Sequence, residues 1–372
     1  MLKSLLFSFV AAFLVLSCEQ ATNTPVKQNG VSYAKGLSIA EYRDFKVVTV
    51  TEPWPGAKSN YRYVLHKKGF LIPDSLSTLP AITIPVKRVI ATSTTHLPSI
   101  EMLGESASLV GFPMLDYISS PIFRAAINAG AVQELGTNQN LNIEAMLSLK
   151  PDVVISFGID NSNPIMDKVS KAGIPVIFNG DWNETTPLGK AEWIKLFGVL
   201  YDKADKADSI FNSIESEYNR LRQLAAGRSK KPRVMAGSVY QNQWYVPKGG
   251  SWGALLIRDA GGDYLWKQTE GTGSLALSPE EVLLRSDEAD YWIGPEMMTF
   301  EEMAAANPHY ARFRAFREKN VYNFTSRKGE KGGVLYYELG PNRPDIVLKD
   351  LIKILHPDLL PDYQLFFFQK LR

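Results

Sequence analysis

The chain uses one unit twice. Asn142-Ile143-Glu144-Ala145-Met146-Leu147 runs on to an apolar stretch ending at Phe157-Gly158, and Ser278-Pro279-Glu280-Glu281-Val282-Leu283 runs on to one ending at Ile293-Gly294. Glu144 aligns with Glu280, Leu147 with Leu283 and Gly158 with Gly294. Each copy reads as a helix start, a short helix and a buried strand closed by glycine. A repeated unit of this kind in 372 residues predicts two similar α/β lobes. Matching carboxylates on two lobes suggest something that is gripped from both sides.

The rest of the chain fits that plan. From Arg88 short apolar strands alternate with helical segments: 88–91, 109–112, 152–157 and 175–178 read as strands, and 97–103 as a helix ending at Gly104. Such alternation predicts a mainly parallel sheet. From Lys203, Ala204, Ala207, Ile210, Phe211, Ile214, Tyr218, Leu221 and Leu224 recur in steps of three and four, the pattern of one helix face. A run of about 24 residues would span roughly 36 Å, enough to link two lobes, although periodicity alone would also suit a plain surface helix. After Pro232 the rhythm restarts, with strands at 233–239, 291–293 and 321–324 and helices at 252–260 and 346–355. Ahead of the first lobe, 45–50, 62–66 and 81–84 alternate like strands of a small antiparallel sheet.

The N-terminus reads as a targeting segment. Lys3 precedes an apolar run from Leu5 to Leu16, too short to span a bilayer, followed by Val15-Leu16-Ser17-Cys18. This resembles a bacterial lipobox, with Val15 where leucine is usual. An incidental cysteine in a cleaved signal is the plainer alternative. Cys18 is the single cysteine, so no intramolecular disulfide or thiolate metal site can form. A lipidated Cys18 would anchor the chain to a membrane, with Glu19 to Lys35 as a flexible tether.

In this order, around a long helix, the motifs resemble the solute-binding proteins of ABC importers for vitamin B12 and ferric siderophores. The marks are Asn142-Ile143-Glu144, Leu149-Lys150-Pro151-Asp152-Val153-Val154-Ile155, Leu277-Ser278-Pro279-Glu280-Glu281-Val282-Leu283 and Arg258-Asp259-Ala260-Gly261-Gly262. The likeness covers about 87–358 and does not account for 36–86. It implies two Rossmann-like lobes joined by one rigid helix. The expected division is a signal peptide over 1–17, a lipidated tether over 18–35, a β-rich extension over 36–86, a first lobe over 87–202, an interlobe helix over 203–227, a second lobe over 228–358 and a tail over 359–372. The resemblance also implies a monomer in the bacterial cell envelope, facing the periplasm or exterior, that hands a metal chelate to an ABC permease with its ATPase.

The paired glutamates admit two readings. Asn142 and Ser278 suit N-caps, Pro279 suits the first helical position, and Ser278 with Glu281 fits a capping box. A carboxylate in the first turn also complements the helix dipole by roughly 0.3–1 kcal/mol, which alone could explain Glu144 and Glu280. The box uses Glu281, however, and leaves Glu280 free. By the resemblance, Glu144 and Glu280 dock onto permease arginines, one per lobe.

Loops after the strands predict a ligand cleft between the lobes. The candidates are His96, Phe112, Tyr117, Phe157 and Trp182 from the first lobe. The second offers Tyr240, Trp244, Trp252, Trp266, Tyr336 and Arg343, with Tyr337 beside them. Each aromatic taken singly could be core. Together they suit a flat or hydrophobic-rimmed chelate: a ferric siderophore, cobalamin or haem, the last through an axial Tyr or His. No resident cofactor is expected. Four histidines without a His-rich loop argue against bare-metal capture. A net charge of +2 gives no nucleic-acid signal. An enzyme is disfavoured because G-x-S-x-G, H-E-x-x-H and P-loop motifs are absent.

Overall fold

The computed structural model describes residues 25–28 and 30–372. The signal segment and Cys18 lie outside the described residues. Two parallel sheets, one per lobe, organise the fold. In the first lobe the strand order is Val176–Phe178, Val153–Ser156, Val89–Ala91, Leu109–Phe112, Gln133–Glu134, and every pairing is parallel. The four longer strands are almost wholly apolar and buried, as expected when helices cover both faces of a sheet. In the second lobe the order is Asp263–Tyr264, Arg233–Ala236, Tyr291–Ile293, Val321–Asn323, Gln369–Lys370.

That last strand corrects the expected tail. Gln369–Lys370 pairs antiparallel with Val321–Asn323, and Phe367 and Phe368 are buried. Asp350, fully buried, holds this segment by accepting from the amides of Phe366, Phe367 and Phe368 and from the Tyr363 hydroxyl. Residues 359–372 are therefore part of the second lobe.

The helix Ala204–Ala226 joins the lobes. Of the face that the spacing predicts, Ala207, Phe211, Ile214, Tyr218 and Leu221 are buried and Ala204, Ile210 and Leu224 half-buried, with Ala225 buried beside them. It packs on Ile194–Leu200 of the first lobe and Pro344–Leu355 of the second. Tyr218 also donates to Asp259 at 2.8 Å.

The N-terminal sheet has five strands in order: Lys27–Gln28, Leu37–Glu41, Phe45–Val50, Tyr61–Lys67 and Ala81–Ile84. It is antiparallel except for Ala81–Ile84, which runs parallel to Tyr61–Lys67. It is fastened to the first lobe: Tyr63 accepts from the Phe178 amide, and the Val86 amide donates to Leu200.

The flexible tether expected through residue 35 ends sooner. The amides of Ser32, Tyr33 and Ala34 all donate to the Glu192 carboxylate, at 2.6–3.0 Å, and Gly36 donates to Glu184. Glu192 is fully buried and also pairs with Lys195. Its carboxylate offers the acceptors that these amides lack in the absence of a strand partner. Glu192→Gln is expected to lower the free energy of unfolding by about 2 kcal/mol, measured by denaturant titration, because one oxygen becomes a donor facing donors.

Candidate ligand-binding site

The cleft is built where the strands end. In the first lobe, chain order reverses at Val89–Ala91, which lies between Leu109–Phe112 and Val153–Ser156. In the second it reverses at Arg233–Ala236, between Asp263–Tyr264 and Tyr291–Ile293. Loops diverge at such switch points and leave a crevice. The strands of the repeated unit, Val153–Ser156 and Tyr291–Ile293, each border a switch point.

Three adjoining cavities lie along the crevice. One of about 350 Å³ lies in the second lobe, lined by Gly237, Ser238, Tyr245, Trp252, Gly294, Glu296, Phe324, Tyr336, Tyr337 and Phe368 among others. A second, of about 340 Å³, lies between the lobes; Thr92, Ser93, Phe112, Tyr117, Asn138 and Phe157 face Gly332, Val334 and Tyr337 across it. A third, of about 270 Å³, lies in the first lobe and shares Asn138 and Phe157 with the second. Tyr337 borders the first two, so the three adjoin through shared wall residues and together make up a trough. Among the described residues that line it, none is Lys, Arg or His, and Glu296 is the one carboxylate.

The second-lobe wall is an aromatic nest. Tyr336 stacks on Phe324 at 4.2 Å and on Trp252 at 5.9 Å, and meets Phe368 at 5.7 Å. Burial raises the pKa of the Tyr336 and Tyr337 phenols, and for Tyr337 the nearby Glu296 adds to this. Both are neutral hydroxyls at physiological pH.

Six expected cleft residues line the trough: Phe112, Tyr117, Phe157, Trp252, Tyr336 and Tyr337. Six do not. Trp244 is 1% exposed; its indole donates to the Ala236 carbonyl and its ring packs on Trp292 and Phe313. It lies on Gln243–Pro247, a strand joined to Ser238–Tyr240 through Gln241 and Asn242, both with positive φ. Alternation along that strand turns Trp244 inward and Tyr245 to the cavity. Trp266 is buried against Tyr264 and beneath Arg285. Arg343 is tied to Asp345 by two hydrogen bonds, at 2.8 and 2.9 Å. Tyr240 is exposed beside Tyr245, and Trp182 donates to the Gly158 carbonyl. His96 is completely buried, and burial lowers its pKa so that the ring stays neutral. Phe324 and Phe368 were missed because nothing local marks either as a wall.

The lobes are also locked beside the trough. Glu338, next to Tyr336 and Tyr337 on the helix Leu335–Leu339, crosses to the first lobe. It accepts from the amides of Ser119 and Ser120 at 2.6 and 3.0 Å. Asn342 accepts from Ser99 and donates to the Thr95 carbonyl. Gly333 sits against Tyr117, where an added Cβ would lie 2.1 Å from the carbonyl oxygen. Burial pushes the Glu338 carboxyl up to about 7 despite its two amide donors.

Glu144 and Glu280 are exposed, each in the first turn of its helix. Asn142 caps the first helix, and Ser278 with Glu281 forms the capping box of the second, as the sequence implies. Neither Glu144 nor Glu280 has an ion-pair or hydrogen-bond partner among the described residues. Also among the described residues, no three His, Cys, Asp or Glu side chains converge as a metal site, and no helix is long and apolar enough to cross a membrane.

Comparison with known proteins agrees with this architecture. A family profile described as "Periplasmic binding protein" matches residues 89–327. The uncharacterised lipoprotein MJ0878 of Methanocaldococcus jannaschii is 27% identical over 380 residues, 94% of this chain and 88% of that one. The vitamin B12-binding protein of Salmonella paratyphi A is 23% identical over 217 residues, 56% of this chain and 76% of that one. Among solved structures, a possible iron-binding periplasmic solute-binding protein of Staphylococcus epidermidis superimposes with a TM-score of 0.57 at 16% identity, covering 73% of this chain and 99% of that one.

Proposed function

Since the chain belongs to the periplasmic binding protein family, we propose that it is an envelope-associated binding protein that captures a metal chelate in the trough and delivers it to an ABC permease with its ATPase. The observation that carries this reading is the trough itself: long, aromatic, open to both lobes and free of basic side chains. Aromatic walls cover a large ligand surface at low entropic cost. A buried anion requires paired cations or dense hydrogen bonding, and the lining supplies no cation. The ligand we infer is therefore a chelate of neutral or positive overall charge, such as a corrinoid or a ferric hydroxamate. A ferric catecholate, which is strongly anionic, fits poorly. Haem, the alternative, has two carboxylates to satisfy, though Tyr117 and Tyr337 would offer phenol ligands to its iron.

Calorimetric titration and thermal shift with cyanocobalamin, ferrioxamine B, ferric enterobactin and haemin test the reading. Cyanocobalamin or ferrioxamine B should bind with submicromolar affinity, and ferric enterobactin at least about 100-fold more weakly, a difference of about 3 kcal/mol. Tight ferric enterobactin binding, or no binding by any of the four, would sink the assignment of ligand class. None should be chemically altered.

Delivery falls to Glu144 and Glu280. Helices that feed parallel strands begin at the edge where those strands end, so both carboxylates belong to the cleft-bearing edge. Exposed and without a partner among the described residues, they are available to arginines of a permease, one per lobe. Such pairs orient a complex more than they tighten it. Cys18, lipidated, would keep a monomeric receptor at the membrane surface.

A further inference from the structure

The N-terminal sheet pairs with neither lobe's parallel sheet, yet one of its turns packs into the first lobe under a loop that lines the trough. Trp54, fully buried, lies under the loop that follows Val153–Ser156. It packs so closely that a Cβ on Gly158 would stand 2.2 Å from the indole ring. The indole N–H donates to Asn161 Oδ1 at 3.2 Å. The same oxygen accepts from the Lys58 amide, and Asn161 Nδ2 donates to the Gly56 carbonyl. Asn183, beyond the next strand, donates to the Glu52 carbonyl. The turn and the loop thus share their hydrogen bonds, and the front of that loop, from Phe157 through Asn163, lines two of the three cavities.

We propose that the N-terminal sheet is part of the binding apparatus, with Trp54 and Asn161 as positioning residues that hold loop 157–163, and through it Phe157, in the shape of the trough wall. The first lobe restrains this loop through Trp182, which donates to the Gly158 carbonyl, and through Asp160, whose carboxylate accepts from the Ser162 amide and whose carbonyl accepts from Asn163. Residue 158 must be glycine to admit the indole, and the Trp54 and Asn161 bonds tie the same loop to the N-terminal turn. The extension supplies the missing back wall. This rests on the trough being the ligand site, so the test has one arm that needs no ligand.

Amide hydrogen exchange is measured on the whole unliganded protein and on Trp54→Phe and Asn161→Ala. Trp54→Phe keeps an aromatic ring and removes the donor. Asn161→Ala removes the acceptor at an exposed position and leaves the indole buried. Both should speed exchange across 157–163 by roughly fivefold, the scale of one or two lost hydrogen bonds, with strands Phe45–Val50 and Tyr291–Ile293 unchanged. Unchanged exchange at 157–163 in both variants overturns the proposal. So does loosening of the whole extension in Asn161→Ala, because Trp54 would then be ordinary core.

The second arm titrates cyanocobalamin and ferrioxamine B. Whichever probe the wild type binds should dissociate about five times faster from Asn161→Ala at nearly unchanged melting temperature. Faster loop exchange with unaltered dissociation would overturn the link to binding. If the wild type binds neither probe, the ligand class fails, and the exchange arm still decides the role of Trp54.

Discussion

Reversing both exposed carboxylates, Glu144→Arg together with Glu280→Arg, is expected to abolish ligand uptake by cells while leaving ligand affinity unchanged. Both residues are solvent-exposed, and neither has a partner among the described residues. Stability changes come only from the helix dipole, at roughly 0.3–1 kcal/mol per site. The caps stay intact, because Asn142, Ser278 and Glu281 carry them. At a receptor–permease interface the reversed charges meet like charges, and each such meeting costs several kcal/mol. Each single reversal should cut transport by about tenfold or more, and the pair should bring it to background. Uptake assays with the binding-competent double variant check this. Normal uptake by that variant would end the docking assignment and leave capping as the whole role of both residues.

Glu338 should make a contribution to stability that falls as pH rises from about 4.5 to about 7, and Glu338→Ala should remove that contribution. The Glu338 carboxyl has its folded-state pKa raised from 4.5 to about 7, chiefly by burial. Between those values the folded protein holds a proton that the unfolded chain has released. The contribution is therefore complete below about 4.5 and is lost as pH rises through about 7. At 1.36 kcal/mol per unit, that rise corresponds to about 3 kcal/mol. At pH 5, Glu338→Ala strands the Ser119 and Ser120 amides and should cost about 3 kcal/mol. At pH 8 the gap should close to about 1 kcal/mol or less, because the wild type must then bury a charge. Denaturant unfolding of both proteins across this range decides the matter, and parallel profiles would refute it. Because Glu338 joins the lobes beside Tyr337, the same titration should loosen the trough at alkaline pH.

The repeat, the long helix and both helix starts were legible in the chain. They depend on interactions a few residues long: Asn142 with the Ala145 amide, Ser278 with Glu281, and apolar residues three and four apart on Ala204–Ala226. The aromatic cleft was legible only in part. Trp252 and Tyr336 line it, whereas Trp244 and Trp266 pack inside the second lobe. Composition marks a residue as apolar and large, but not which way its strand faces. Tyr245 rather than Trp244 meets the cavity because pairing of Gln243–Pro247 with Ser274–Leu277 sets the parity. Arg343 was misjudged for a related reason, since its partner Asp345 is a neighbour that burial turns into a fixed counter-ion.

The sequence by itself determined the two α/β lobes, the helix between them and the two carboxylates left outside the caps, because periodicity and capping are satisfied within a turn or two of chain. Tertiary structure alone decided the trough. Phe368 reaches it through Asp350, Tyr337 through the Glu338 lock, and Phe157 with Trp54 behind its loop. Each of these contacts joins segments far apart in the chain. Buried amides and carboxylates must find partners wherever the packed layers bring them together, and no local pattern records that choice.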